Sequence, residues 1–358
     1  MVVTENVYNN PAVKSQHKVP RKYLKAWCDC SGTLYTLRRD GKLFSCGVEG
    51  IEAENYYYQF EDLSIDELRF LFHFASAKQG LNIPVGHVRL FMQAMVGSAI
   101  LNSILSGARS DSSEFELYMQ QASQLGAFPS EFVNIARMAW MCKYVGVKFD
   151  LDAMLVFDRI VKNGGEKLMC LIEDNAWHAL DLALEGNVCE INESKDLKWH
   201  LAKYMVYQMM RGDKIREIFN EEGRSLPKES LIRVASYLRY FMAEVVLNSL
   251  EQHLSNMNIR LVENSTTEEF LTGDNPVFNL DCSMPPVEFT LFLPISPQRA
   301  VVLVNQNIEE KYADILSPTI DKVRELNKRL CNGCISQIHA SHRDVLANQT
   351  YTPSWIRK

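Results

Sequence analysis

GTLYTLRRDGKLFSCG, residues 32–47, decides how the rest of the chain is read. Leu34, Leu37, Leu43 and Phe44 lie in two short apolar runs, and Asp40-Gly41 between them supplies turn chemistry, which predicts a β-hairpin. A lone hairpin is marginal in water, so this one is expected to find further strands elsewhere in the chain. They appear late. From about residue 259, IRLVEN, EFLTGDNPVFNL and VEFTLFLPISPQRAVVLVN are β-branched and apolar, separated by turn-rich pieces.

Between the hairpin and those strands nearly everything has helical spacing. Segments 64–79, 84–106, 112–125, 129–146, 150–163, 166–186, 195–220 and 228–258 each repeat apolar residues at i, i+3, i+4. Gly80, Pro84, Gly107, Gly126, Pro129, Gly164-Gly165, Gly223 and Pro227 punctuate them. Ser64 with Glu67 forms a capping-box pattern, and Asp111 precedes another helix start. A final long helix is expected over about 307–339, interrupted near Ser317-Pro318. The fold class expected is mainly α with a small antiparallel β part (α+β): a helical middle flanked by an N-terminal β-hairpin and a late small sheet. One domain, 1–358, would hold the motif and hairpin (15–62), the helical middle (63–258) and the late strands with the C-terminal helix (259–358).

Composition bounds the function. The 358 residues are 47% hydrophobic and 23% charged, enough to bury a full core. A net charge of -6 argues against duplex binding through a globally basic surface, while leaving a local basic groove open. MVVTENVYNN lacks a basic, then apolar, signal pattern, and no apolar run approaches the roughly 18 residues of a membrane span. With 9 scattered cysteines, reduced thiols in a cytoplasmic protein are expected. Cys28/Cys30 and the C-x-x-C at Cys331/Cys334 lack a partner knuckle, so no structural metal is assigned. No P-loop, G-x-G-x-x-G, H-E-x-x-H or G-x-S-x-G motif is present.

Four separated polar motifs remain. Gln16-His17-Lys18-Val19-Pro20, with Tyr23-Leu24 and Trp27, opens the first. EAENYYY supplies Glu54 and Tyr57, YQMMRGDKIRE supplies Gln208 and Arg211, and FLTGDNPVF followed by FLPISPQRAVVLV supplies Asp274-Asn275-Pro276. Together and in this order they resemble the bacterial HYVP-motif family of unknown function, domain-of-unknown-function family 4238. The chain departs from that pattern at Lys18, where the family has a tyrosine, and at Gly273, where it has a serine. The resemblance implies no activity.

The residue types support two readings. His17, Glu54, Asp274 and Asn275 would form a catalytic set, with Gln16, Gln208 and Arg211 binding substrate and the guanidinium clamping phosphate. Asp274 would hold a divalent cation if one serves as cofactor. That describes a hydrolase acting on a nucleic acid or nucleotide and, by analogy, a phage-defence effector or toxin. In the alternative, His17 holds a proline turn, Asp274-Asn275 is turn chemistry, and Arg211 bridges to Glu54 or Asp274. The chain is then a non-catalytic helical binding or regulatory protein whose polar motifs form a buried network. Burial separates the two readings.

Overall fold

In the computed structural model, residues 14–77, 85–128, 130–144, 151–212, 226–281 and 289–347 are described. The punctuating residues Gly80, Pro84, Pro129 and Gly223 lie outside them. The protein is about 60% helical with small antiparallel sheets, a mainly helical α+β fold. No helix of the described residues is long and apolar enough to cross a membrane.

In chain order the first elements are β1 (Ser15–His17), α1 (Arg21–Leu24), β2 (Leu34–Arg38), β3 (Leu43–Cys46) and β4 (Ala53–Asn55). Then come α2 (Ile65–Ala77), α3 (Val85–Ser106), α4 (Ser112–Gln124), α5 (Ser130–Tyr144) and α6 (Leu151–Glu185). α7 (Val188–Glu193), α8 (Lys195–Arg211) and α9 (Lys228–His253) lead into β5 (Met257–Glu263), β6 (Thr272–Gly273), β7 (Phe278–Asn279), β8 (Leu291–Pro294) and β9 (Arg299–Asn305). The chain ends in α10 (Ala313–Leu316), α11 (Ile320–Gly333), β10 (Gln337–Ala340) and α12 (Arg343–Ala347).

These elements divide into two compact units, both discontinuous in sequence. The first comprises 1–16, 55–169 and 218–248, and the second 17–54, 170–217 and 249–358.

The first unit is helical. Ser64 and Glu67 cap α2 reciprocally: Glu67 Oε2 accepts the Ser64 N–H at 2.7 Å, and Ser64 Oγ accepts the Glu67 N–H at 3.3 Å. Asp111 caps α4 by accepting the N–H groups of Ser113 and Glu114. The expected break at Gly164-Gly165 does not occur, because α6 runs through it. A Cβ at Gly165 would strike the Tyr240 hydroxyl and lie 2.7 Å from Tyr58 Cβ, so this glycine allows a close approach. Arg239, 1% exposed, sits in the same unit with its guanidinium carbon 4.6 Å from the Tyr57 ring centroid.

The second unit carries both four-stranded sheets. The hairpin forms as expected, with Leu34 opposite Cys46 and Leu37 opposite Leu43, and Gly41 takes the turn at φ 80°. It also finds its late partners. β2 pairs with β10 (Leu37 opposite Ile338), and β10 pairs with β6, giving the order β3-β2-β10-β6. A second four-stranded sheet, β5-β9-β8-β7, takes the remaining late strands, so the late β part is two sheets rather than one.

α11 serves both sheets. Val323 and Leu326 pack in a core with Val262, Phe292 and Val302, while Leu330 and Cys331 pack with Leu271 and Ile338. The expected helix over 307–339 is corrected: a 3-10 stretch and α10 come first, α11 stops at Gly333, and residues 337–340 are strand β10.

Candidate functional site

All four motifs place side chains in the second unit, apart from Gln16 and Tyr57. Within the first unit Gln16, fully buried, grips main chain at both ends of its amide. Its Nε2 donates to the Lys162 carbonyl and its Oε1 accepts the Tyr58 N–H, each at 2.7 Å.

In the second unit the opening motif is held through its backbone. Arg211 donates to the His17 carbonyl, and Gln208 Nε2 donates to the Lys18 carbonyl at 3.2 Å. Arg211 also pairs with Glu173 at 2.5 Å and with Gln208 Oε1 at 3.2 Å. Its bridge is thus to Glu173, not to Glu54 or Asp274. Gln208 and Arg211 are three residues apart, so α8 presents both on one face, and both are under 4% exposed. A buried guanidinium with a carboxylate and two carbonyl-type acceptors is a satisfied group.

The side chains of His17, Lys18 and Glu54 point elsewhere. Lys18 Nζ pairs with the half-exposed Glu54 carboxylate at 3.0 Å. His17 is half-buried. Burial, then the Arg21 cation, holds its imidazole below the usual histidine range. The aromatics of the same motif also seek main chain. Tyr23 Oη donates to the Pro294 carbonyl at 2.7 Å and accepts from Thr272 Oγ1, and Trp27 Nε1 donates to the Phe270 carbonyl at 2.9 Å.

Asp274, 1% exposed, follows β6 and closes the end of α11. Its carboxylate accepts the N–H groups of Ile335 and Ser336, the latter at 2.6 Å, and the Ser336 hydroxyl at 2.5 Å. Asn275 Nδ2 donates to the Gly333 carbonyl at 3.3 Å. Burial, helped by the Glu52 charge, pushes the Asp274 carboxyl up to about 6 against those three donors.

Two residues of this cluster were not among the sequence candidates. Glu52, 3% exposed, sits in the left-handed region at φ 53°, and its carbonyl accepts the Lys18 N–H at 2.7 Å. Its carboxylate lies 2.9 Å from His339 Nε2, while His339 Nδ1 lies 2.9 Å from Thr36 Oγ1. Burial pushes the His339 imidazole down to about 4. At neutral pH the Glu52 contact is therefore a hydrogen bond from a neutral ring, with Nε2–H donating to the carboxylate and the Thr36 hydroxyl donating to Nδ1. The His-x-x-His spacing at 339–342 was the only signal for His339. Glu52 had none, since its neighbour Glu54 carries the motif.

One continuous path results within the unit: Glu173, Arg211, the His17 and Lys18 main chain, Glu52, His339 and Thr36. Chemically it contains acids, a base and a guanidinium. Geometrically its polar side chains are spent on main chain or on one another. Among the described residues no group of three or more His, Cys, Asp or Glu side chains is arranged to hold a metal. The described cysteines are free thiols, with Cys331 and Cys334 buried in the core beside α11.

Two clefts open elsewhere. One in the first unit, about 640 Å³, is lined by Glu61, Asp62, Glu67, Arg109, Asp111 and Arg233 among others. Its charges are largely paired internally, Arg109 with Asp62 and Arg233 with Glu67. The other, in the second unit, is lined by no Lys, Arg, Asp or Glu among the described residues.

Neither a curated protein nor a solved structure shows a significant match to the chain. A family model does match, over residues 15–136 and 161–344, which include all four motifs. Its description is a protein of unknown function, and the chain belongs to that family, DUF4238.

Proposed function

We propose that the chain is a non-catalytic helical binding or regulatory protein of the bacterial cytoplasm, and that its HYVP-type motifs form a buried network that fixes the fold. The observation that carries this reading is where the motif side chains go. Gln16, Gln208, Arg211, Asp274 and Asn275, none more than 6% exposed, all bond main-chain groups: those of Tyr58, Lys18, Ile335 and Ser336 in irregular segments, and those of Lys162 in α6, His17 in β1 and Gly333 at the end of α11. Buried N–H and C=O groups outside helices and strands need such partners, and side chains able to supply them specify the loop conformation. The departure at Lys18 fits the same view, because position 18 serves the network through its carbonyl and N–H. Free thiols at the described cysteines suit a reducing compartment.

A second reading, the hydrolase on a nucleic acid or nucleotide with a divalent cation, is favoured by one feature. Asp274, held near 6, stands in the field of Glu52 and beside neutral His339, an acid–base set of the kind phosphoryl chemistry uses. The role of defence effector or toxin belongs to this reading alone.

One comparison separates the two. Wild type, His17→Ala and Asp274→Ala are assayed for melting temperature, for cleavage of DNA and RNA with added magnesium or manganese, and for toxicity on expression. The network reading expects no cleavage by wild type and a large fall in melting for Asp274→Ala. Cleavage by wild type that His17→Ala abolishes without a change in melting would overturn it.

A further inference from the structure

The cleft of the second unit without charged lining has a different character from the motif network. It measures about 420 Å³, within the roughly 300–1,000 Å³ usual for small-molecule sites. Its apolar lining is Leu250 and Met257, both buried, with Phe289 and Ile308, both half-buried. Ser249, His253, Asn305 and Asn307 complete the lining. α9 delivers Ser249 and His253 one turn apart, and Asn305, which ends β9, accepts the Asn307 N–H at 2.9 Å and so fixes the turn that carries both amides.

Two features define what would fit. First, the polar lining is uncommitted: the side chains of Ser249, His253 and Asn307 make no hydrogen bond within the protein among the described residues. Hydroxyl, imidazole and amide groups thus stand beside apolar lining with donors and acceptors to spare. Second, no Lys or Arg lines the cleft among the described residues, and Arg260 is engaged by Glu309 at 2.9 Å. Among the described residues a phosphate or carboxylate would find no Lys or Arg, and an amine no carboxylate. An aromatic ring and a thioether in the lining suit a flat ring, and carboxamides match the donor–acceptor edges of a heterocycle.

We infer that this cleft binds an uncharged planar heteroaromatic ligand of the nucleobase class, a free base or nucleoside rather than a nucleotide. The inference is independent of the reading of the motif network, since the cleft shares no residue with it. Phe289 supplies the stacking surface, and Asn307 with Ser249 reads the ring edge.

The test is a titration of the full chain with adenosine, guanosine, cytidine and uridine, and with their 5′-monophosphates, followed by calorimetry and ligand-observed NMR. The expected result is saturable binding of at least one nucleoside at millimolar concentration or below. Its monophosphate should bind at least several-fold more weakly. Phe289→Ala should lower the affinity about tenfold, the scale of one base–aromatic stack, and Asn307→Ala several-fold. Asn307 is exposed, so its variant folds and remains informative if Phe289→Ala does not. Saturation by none of the nucleosides, tighter binding of the monophosphates, or an affinity unchanged in Asn307→Ala would each overturn the assignment.

Discussion

Around Asp274, the side chains of Glu52, Asn275 and His339 are under a tenth exposed and bonded to main chain or to other buried groups; around Phe289, in the same unit, the side chains of Ser249, His253 and Asn307 are exposed and make no hydrogen bond among the described residues. Residue types alone point the other way, since acids, a histidine and an arginine suggest chemistry while serine and asparagine suggest loops. What differs is commitment. A buried polar group satisfied by the fold is costly to divert to a ligand, whereas an uncommitted group beside apolar surface loses little by binding one.

The largest effect expected is at Arg211. Arg211→Ala leaves Glu173 and the His17 carbonyl without their partner, and should destabilise the protein by about 3–5 kcal/mol in urea unfolding, the range for breaking a buried pair. A loss below about 1 kcal/mol would mean that the network is open to water. Asp274→Ala strands the N–H groups of Ile335 and Ser336 and should cost about 3 kcal/mol, at 1–3 kcal/mol for each unsatisfied donor.

A pH series sharpens the comparison next. Asp274 binds its proton more tightly folded (about 6) than unfolded (3.8), so it removes stability as pH rises from about 4 to 6. His339 is the reverse, with a folded value of about 4 against 6.5, so it removes stability as pH falls from 6.5 to 4. The two nearly offset in wild type. Asp274→Asn should therefore lose stability on acidification through that window, and His339→Gln on raising the pH, each on the order of 2–3 kcal/mol at about 1.4 kcal/mol per pH unit. Melting temperatures read between pH 4 and 7 check the signs, and two slopes of the same sign would refute the assignment.

Smaller effects belong to the exposed groups. Lys18→Tyr breaks the pair with the half-exposed Glu54 carboxylate, so unfolding should shift by about 1 kcal/mol. Asn307→Ala should leave stability within about 0.5 kcal/mol of wild type, as expected of an exposed amide whose side chain has no partner among the described residues.

What could be read from sequence was what is local. The hairpin at 34–46, the Ser64/Glu67 box and the Asp111 cap are each set by residues within a few positions, and all are present. The misreadings come from distant causes. Gly164-Gly165 looks like a break, yet Gly165 is small because Tyr58 and Tyr240 press against it. α11 stops at Gly333, short of the expected 339, where Asp274, more than fifty positions earlier, takes the amides of Ile335 and Ser336. The motif residues were legible as a set, but their role was not, because Arg211 chooses Glu173 and Asp274 chooses main chain. Glu52 and His339 were missed because neither stands out until β2, β10 and the turn before β4 are brought together.

Amide hydrogen exchange at Lys18, Ile335 and Ser336 tests the central claim most directly, since these N–H groups are the ones held by Glu52 and Asp274. A sealed structural network predicts protection in wild type close to that of the β5–β9 ladder, and its loss at Ile335 and Ser336 in Asp274→Ala. Exchange in wild type as fast as at an exposed loop, or protection unchanged in the variant, would contradict it.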